Sequence, residues 1–496
     1  MKNRILLVLS ILLASTNLFA QTQGVAFSTV GKGVATPFVS DYQSLGVNVS
    51  ALGWGTGYKD KRFTAGSSEF AFSIYSDSLN VTKLRNLYKA VRSSVVNKDP
   101  QSFDFNQQRE AAAQYAEAGI AMNLDFNWAG FAYQTPKFGG IAFNIRENYQ
   151  YYSKFNKQTT DLIFRGKLST LFDSLTVVFG TDTTRIANNN NVSQDTLAAV
   201  VQGTVSLPLN LSTITNGSEV RMIWNRSYEL GYGRKIIGKD SVFVLYGGIG
   251  GRIISSMAMF NMKSDDAGLM MYSSITPAFN IDYGNISGAN QLSSKRGIPP
   301  AVGQGYGVDL AASVILLNKI KVAVAVNNIG SVTYTQNVYK VKDTIFGNFG
   351  LNGLSDADIT SSINQLLQDG GILQLEGQKK YVLKNASTFR FGASFEPAPF
   401  LKLGFDMVAP FDSENPGAIQ NPVYSFGGEV RPVKWLALNA GYFGGGIYKS
   451  NIPVGITFIL KEGAYECGIA SRDALSFFLE NSNSVSTAFG FARFRF

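Results

Sequence analysis

The chain has no histidine and a single cysteine, Cys467, among 496 residues. The first absence excludes every Ser-His-Asp and Cys-His catalytic arrangement and every histidine-ligated metal site. The second excludes a disulfide framework within one chain. Only 16% of residues are charged and 14 are proline, and no Pro/Ser-rich linker divides the chain. One large domain is therefore expected where length alone suggests about three. After residue 20 no apolar run reaches the roughly 20 residues of a membrane-crossing helix. The acidic run Ser264-Asp265-Asp266 is too short for an EF-hand calcium loop, and Gly247-Gly248-Ile249-Gly250-Gly251 lacks the spacing and lysine of a phosphate loop. No enzyme activity, metal or cofactor is expected. The net charge of +9 is not gathered into Lys/Arg stripes, so no nucleic-acid partner is expected either.

What is present begins with Lys2 and Arg4, an apolar run from Ile5 to Leu13, and a short polar stretch closing on Leu18, Phe19 and Ala20. This is the anatomy of a secretory signal peptide over residues 1–20. The lone cysteine lies far from that point, which argues against a lipid anchor. Taking away Lys2 and Arg4 leaves a charge of +7, suited to phosphate-bearing lipid headgroups or to no partner at all.

The chain is rich in glycine (50), phenylalanine (36) and tyrosine (22), and its residues alternate with a period of two. Met122, Leu124, Phe126 and Trp128 share one face, and Asn123, Asp125 and Asn127 the other. Ile141, Phe143 and Ile145 oppose Ala142, Asn144 and Arg146. Phe389, Phe391 and Phe395 oppose Arg390, Ser394 and Glu396, and Leu401, Leu403, Phe405 and Met407 oppose Lys402 and Asp406. Lipid cannot satisfy an open sheet edge, so alternation of apolar-out and polar-in residues predicts a closed transmembrane barrel. The final Gly490-Phe491-Ala492-Arg493-Phe494-Arg495-Phe496 is similar to the signal by which barrel-insertion machinery recognises outer-membrane barrels.

Loop length tests the strand count, because short turns and long loops fall on opposite membrane sides. Short turns are expected at 135–138, near 239, near 318, and at 397–399, 431–434 and 461–463. Long connections are expected at 78–116, 157–218, 259–303, 341–386, 410–421, 446–451 and 473–484. With a first strand near 61–76, this gives an all-β fold: an antiparallel barrel of about fourteen strands over residues 59–496. The segment 267–282 is read as β structure within an outer loop. Leu84, Leu87, Tyr88 and Val91, and again Ile359, Ile363, Leu366 and Leu367, follow a helix-face spacing. These apolar faces line a vestibule for a greasy ligand or pack the loops onto the rim.

Residues 21–58 read poorly as a strand, yet their many small apolar residues argue against a disordered tail. An N-terminal plug inside the barrel solves both problems. Asp41 and the stretch Asn48-Val49-Ser50-Ala51-Leu52-Gly53 resemble the hatch of FadL-type outer-membrane transporters, with Val49 in place of a proline. The Arg431–Leu436 turn and the strand start at Tyr306 resemble that superfamily too, including its uncharacterised members in Bacteroidota. The resemblance implies a Gram-negative outer-membrane location and hatch roles for Asp41, Asn48, Ala51 and Gly53. It also implies passive transport of hydrophobic small molecules. Arg146, Arg390, Glu396, Lys402, Asp406 and Glu429 are expected to face the lumen, where they hold the plug through salt bridges or line a polar path. The partners expected are outer-membrane lipids and a hydrophobic ligand. The alternative is a scaffold or adaptor barrel whose loops engage another envelope protein.

Overall fold

The computed structural model describes residues 27–58, 60–76, 80, 82–83, 105–189, 191–239, 242–284, 286–293, 298–350, 373–419, 421–446, 448–477 and 484–496. Fourteen strands form one antiparallel ring. They are β1 (Phe63–Ser76), β2 (Ile120–Thr135), β3 (Gly139–Lys154), β4 (Glu219–Lys239), β5 (Phe243–Asp265), β6 (Gly303–Leu316) and β7 (Ile320–Tyr334), followed by β8 (Thr388–Ala398), β9 (Leu401–Pro410), β10 (Val423–Val433), β11 (Leu436–Gly445), β12 (Val454–Leu460), β13 (Tyr465–Ser471) and β14 (Ser484–Arg495). Each pairs with its chain neighbours. β1 also pairs with β14, from Thr64↔Arg495 to Tyr75↔Ser484, so the sheet has no open edge. The barrel is thus the expected one, with short turns at one end and long connections at the other.

The alternation sorts the side chains as lipid requires. Outward residues such as Trp128, Phe131, Ile253, Leu403, Phe426 and Tyr442 are exposed, whereas their inward neighbours Asn127, Asp406, Ser425 and Asn439 are buried. Phe391, Phe405 and Phe426 stand side by side on successive strands, with ring centroids 6.2 and 4.9 Å apart. One detail departs from the sequence reading. The register slips between Asn127 and Ala129, so Trp128 sits at a bulge and the outward face passes from even positions to Phe131 and Tyr133. The extra residue exchanges the two faces of the strand.

β4 and β5, at 21 and 23 residues, outrun the roughly 9–11 residues that a membrane strand needs, and so project beyond it. The end of β5 folds back onto a strand at Gly268–Ile275, which is the β structure expected inside that loop. The connection at 157–218 was expected as loop. Instead it builds, with Ile345–Phe349, a separate sheet of four strands: Ser174–Phe179, Asp182–Ala187, Val200–Asn210 and Ile345–Phe349. This sheet has a core of its own, including Phe172, Leu175, Val177, Ile214 and Phe349. Its strands are only 5–11 residues long, and Ile345–Phe349 pairs with Val200–Asn210 from a distant part of the sequence, too short and too distant for periodicity to betray the sheet. Helices Phe105–Tyr115 and Lys157–Arg165 lie in the long connections. The apolar faces expected at Leu84, Leu87, Tyr88 and Val91, and at 359–367, lie outside the described residues.

Candidate functional site inside the barrel

Phe27–Thr56 is built from small residues, with positive φ at Gly33 and Gly46. It forms only short helical turns at Phe27–Val30, Asp41–Ser44 and Val49–Trp54. No strand ladder satisfies its backbone, so the polar groups must find partners elsewhere. They find them on the inner wall. Asp406 Oδ2 accepts from the amides of Ala35 (2.9 Å) and Thr36 (3.0 Å). Asn327 donates to Val47 O (3.1 Å), and Gln134 donates to Leu52 O (2.9 Å). Within the segment Asn48 donates to Thr36 O (2.9 Å), while the Ser50 hydroxyl donates to Asn48 Oδ1 (2.6 Å) and lies 2.8 Å from Ser313 Oγ.

Close approach of the segment to the wall depends on glycine. A Cβ at Gly392 would come within 2.7 Å of Thr36, one at Gly404 within 2.6 Å of Phe38, and one at Gly248 within 2.6 Å of Ser50. Gly66 and Gly130 leave room for Tyr42, Gly140 for Leu52, Gly231 for Leu45 and Gly233 for Val49. Gly427 and Gly441 do so for Lys32, Gly455 for Gly31, and Gly468 and Gly490 for Phe27. Counting one such glycine per strand gives twelve strands. Ser313 on β6 and Asn327 on β7 complete contact with all fourteen. The Gly247–Gly251 run enters this wall through Gly248 rather than as a phosphate loop.

Charges clasp the segment at several points. Asp41, fully buried and at φ +51°, accepts from Arg493 Nη2 (2.6 Å) and lies 3.8 Å from Arg495 Nε. Glu466 bridges the same two arginines at 2.8 and 2.6 Å, so two positive and two negative groups balance. Breaking such a pair typically costs about 3–5 kcal/mol, because the surviving charge stays buried. Glu69 accepts from Tyr42 Oη (2.5 Å) and Gln43 Nε2 (2.8 Å), and Lys32 meets Glu429 at 2.7 Å. Farther up, Arg252 joins Glu229 (3.0 Å) to Asp309 (2.6 Å).

Of the residues singled out in the sequence, Asp41, Asn48 and Ala51 are fully buried inside the barrel. A Cβ on Gly53 would meet the Arg234 backbone at 2.9 Å. Asp406 and Glu429 touch the inner segment directly. Arg146 instead pairs with Asp125 at 2.6 Å. Glu396 meets Lys321 (3.1 Å) and Lys402 (3.9 Å) in a half-buried group near the short turns. Arg390 is buried without an ion pair among the described residues. Sequence reasoning missed Lys32, Glu69, Glu466, Arg493 and Arg495. The last two were legible, since they alternate with the aromatic residues of the final strand and so must face inward.

One cavity, about 70 Å3, lies toward the long connections and is lined by polar residues such as Asn148, Asn225, Glu229 and Arg252 together with Ile223, Ile254, Val332 and Leu383. A second, about 50 Å3, runs between Val30, Val408, Val423, Phe443 and Arg390. Above it Tyr75, Tyr152, Val408, Ile419, Val423 and Phe443 make an apolar cluster in the outer part of the lumen. Cavities of this size hold a few waters.

A model of a protein family of unknown function, DUF5723, matches residues 173–462. No curated protein matches the sequence. Among solved structures, the Pseudomonas putida toluene transporter TodX is similar over 97% of this chain and 99% of its own, at 10% identity and a TM-score of 0.41. A FadL homologue of Pseudomonas aeruginosa is similar over 96% of this chain and 99% of its own, at 9% identity and a TM-score of 0.40. At these identities the likeness is one of fold.

Proposed function

Since the chain belongs to DUF5723, a family of unknown function, its role must come from its own geometry, and we propose that it is an outer-membrane channel for passive uptake of small hydrophobic molecules, closed by the inner segment Phe27–Thr56. The observation that carries this reading is contact of one short, largely helix-turn segment with all fourteen strands of a lipid-facing barrel. Those contacts are side-chain hydrogen bonds, ion pairs and van der Waals fits, all of which can be undone without breaking the strand ladder. A solute enters between the long connections, meets the apolar cluster around Ile419 and Phe443, and passes when the inner segment shifts. Asp41, Asn48, Ala51 and Gly53 act as the hatch, with Asp406 and Glu429 as its anchors on the wall. The test combines binding of detergent-like and fatty compounds to purified protein with their uptake by cells that have or lack the gene. Absence of binding together with unchanged uptake overturns the reading.

A specific observation favours a second reading, a scaffold barrel that engages another envelope protein. The outer four-stranded sheet has an independent core, an edge strand at Asp182–Ala187 with no further strand partner among the described residues, and exposed Phe179, Leu207 and Ile345. Crosslinking in intact cells through residues on that edge tests it, and recovery of uncrosslinked protein alone counts against it.

A further inference from the structure

We propose that residues 411–419, the connection between β9 and β10, form a strap across the outer mouth of the barrel that sets the size of solute able to reach the lumen. In the ring of fourteen, β3 is the seventh strand from β10 in either direction, so the two stand on opposite walls. The connection leaves and re-enters one wall and makes contacts on the other. Arg221 Nη1, on β4, donates to Ser413 O (2.6 Å), and Lys263 Nζ, on β5, meets Glu414 Oε2 (2.9 Å). The tip is a β-turn over residues 415–418, closed by the Ala418 amide donating to Asn415 O (2.9 Å). Pro416 is second and Gly417 third at φ +80°, as a type II turn requires. That tip lies against β3 and β4: a Cβ on Gly417 would come within 2.6 Å of Ile223 and closer still to the Gln150 side chain. The chain then returns, and Ile419, fully buried, packs among Tyr75, Tyr152, Val408, Val423 and Phe443.

Burial ranks these contacts. Residues 416–419 are all buried, whereas an outer turn ordinarily lies in water. Glu414 is mostly exposed, so its pair with Lys263 is screened and contributes little. The strap is therefore held by its apolar tip, by Ile419 and by the buried guanidinium of Arg221. Asp412 stiffens the near arm, accepting from the Glu414 amide (2.9 Å) and the Asn415 side chain (3.1 Å). Toward β1, β9, β10 and β11 the cluster around Ile419 fills the space beside the strap, and toward β4, β5 and β7 lies the cavity of about 70 Å3, with Pro416 in its wall. The bore of a barrel widens with strand number, and one crossing chain does not fill that of fourteen strands. Ions and small solutes pass beside it, while bulky ones are stopped. The selectivity rests on the proposed channel, but access to the lumen can be read without uptake or ligand binding, so the two fail separately.

Ser227 lines the same cavity and lies deeper along β4 than Ile223, which makes it the probe position. In full-length protein carrying Cys467→Ser and Ser227→Cys, held in lipid nanodiscs, a small methanethiosulfonate should modify the introduced thiol readily. A maleimide carried on a polyethylene glycol chain should react there far more slowly. Thr183→Cys, on the exposed outer sheet, should react freely with both reagents and calibrates their intrinsic rates. Ile419→Ser, which removes the buried anchor of the strap, should speed the bulky reagent at position 227 severalfold and leave the small one nearly unchanged. If Ile419→Ser fails to fold, replacing residues 412–419 by Gly-Ser-Gly supplies the same comparison. The proposal is overturned if the two reagents react at position 227 in the ratio seen at position 183, if the small reagent is excluded as fully as the bulky one, or if releasing the strap leaves the bulky reagent's rate unchanged.

Discussion

Replacing Asp41 by asparagine removes one charge from the balanced group formed with Glu466, Arg493 and Arg495, and changes little in shape. Arg493 then keeps Glu466 at 2.8 Å but loses its 2.6 Å contact to the inner segment. Because Glu466 still faces both arginines, the cost falls below that of a fully broken buried pair. It is nearer the loss of one hydrogen bond to a charged group, about 1.5–3 kcal/mol. The positive φ of Asp41 suits asparagine equally well, so no backbone strain is added. The whole loss therefore falls on docking of the segment. At about 1.4 kcal/mol per factor of ten, amides of residues 41–54 should exchange about 10- to 150-fold faster, while those of β2 and β14 keep wild-type protection. Peptide-resolved hydrogen exchange on protein in lipid nanodiscs reads both. Unchanged exchange in 41–54 refutes the clasp. Equal acceleration throughout the barrel refutes its being local.

Other expectations follow from the same geometry. Phe426→Arg places a charge on the exposed outer face near mid-strand and should cost about 2–4 kcal/mol in a lipid-vesicle denaturation series, whereas Ser425→Ala, facing inward, should cost far less. Gly231→Leu drives a side chain into the space of Leu45 and Val49, and overpacking of about 1–3 kcal/mol should unseat the inner segment while the barrel still folds. This is checked by protease access to residues 41–54. In the outer sheet, the backbone amide of Ser206, 2.6 Å from Asp173, holds that carboxyl below its ordinary range. The contribution is present above the usual aspartate pKa and is lost as pH falls through the depressed value. Exchange at Val200–Asn210, corrected for its intrinsic pH dependence, should rise only under those acidic conditions, and Asp173→Asn should flatten the profile.

The barrel was legible because lipid imposes a rule on every strand. Leu403 and Phe405 against Lys402 and Asp406 state their faces without reference to any partner, and loop lengths order the strands. The Trp128 bulge was not legible, since one inserted residue leaves the local composition unchanged. The outer sheet escaped notice because Ile345–Phe349 pairs with Val200–Asn210 across a long stretch of intervening chain, a contact that no local pattern encodes. For the inner segment, the small residues and Asp41 point to residues 21–58, of which Phe27–Thr56 packs against the barrel wall. The partners of Asp41 lie at the other end of the sequence, however, and Lys32 and Glu69 carry no signal until the fold brings them together.

Electrical recording in planar bilayers tests most directly the proposed closure of the lumen by Phe27–Thr56. The intact protein should be silent, and the same barrel lacking residues 27–56 should show stable, voltage-independent steps. Steps of equal size from both proteins, or silence from both with the barrel shown to be folded, would contradict the account.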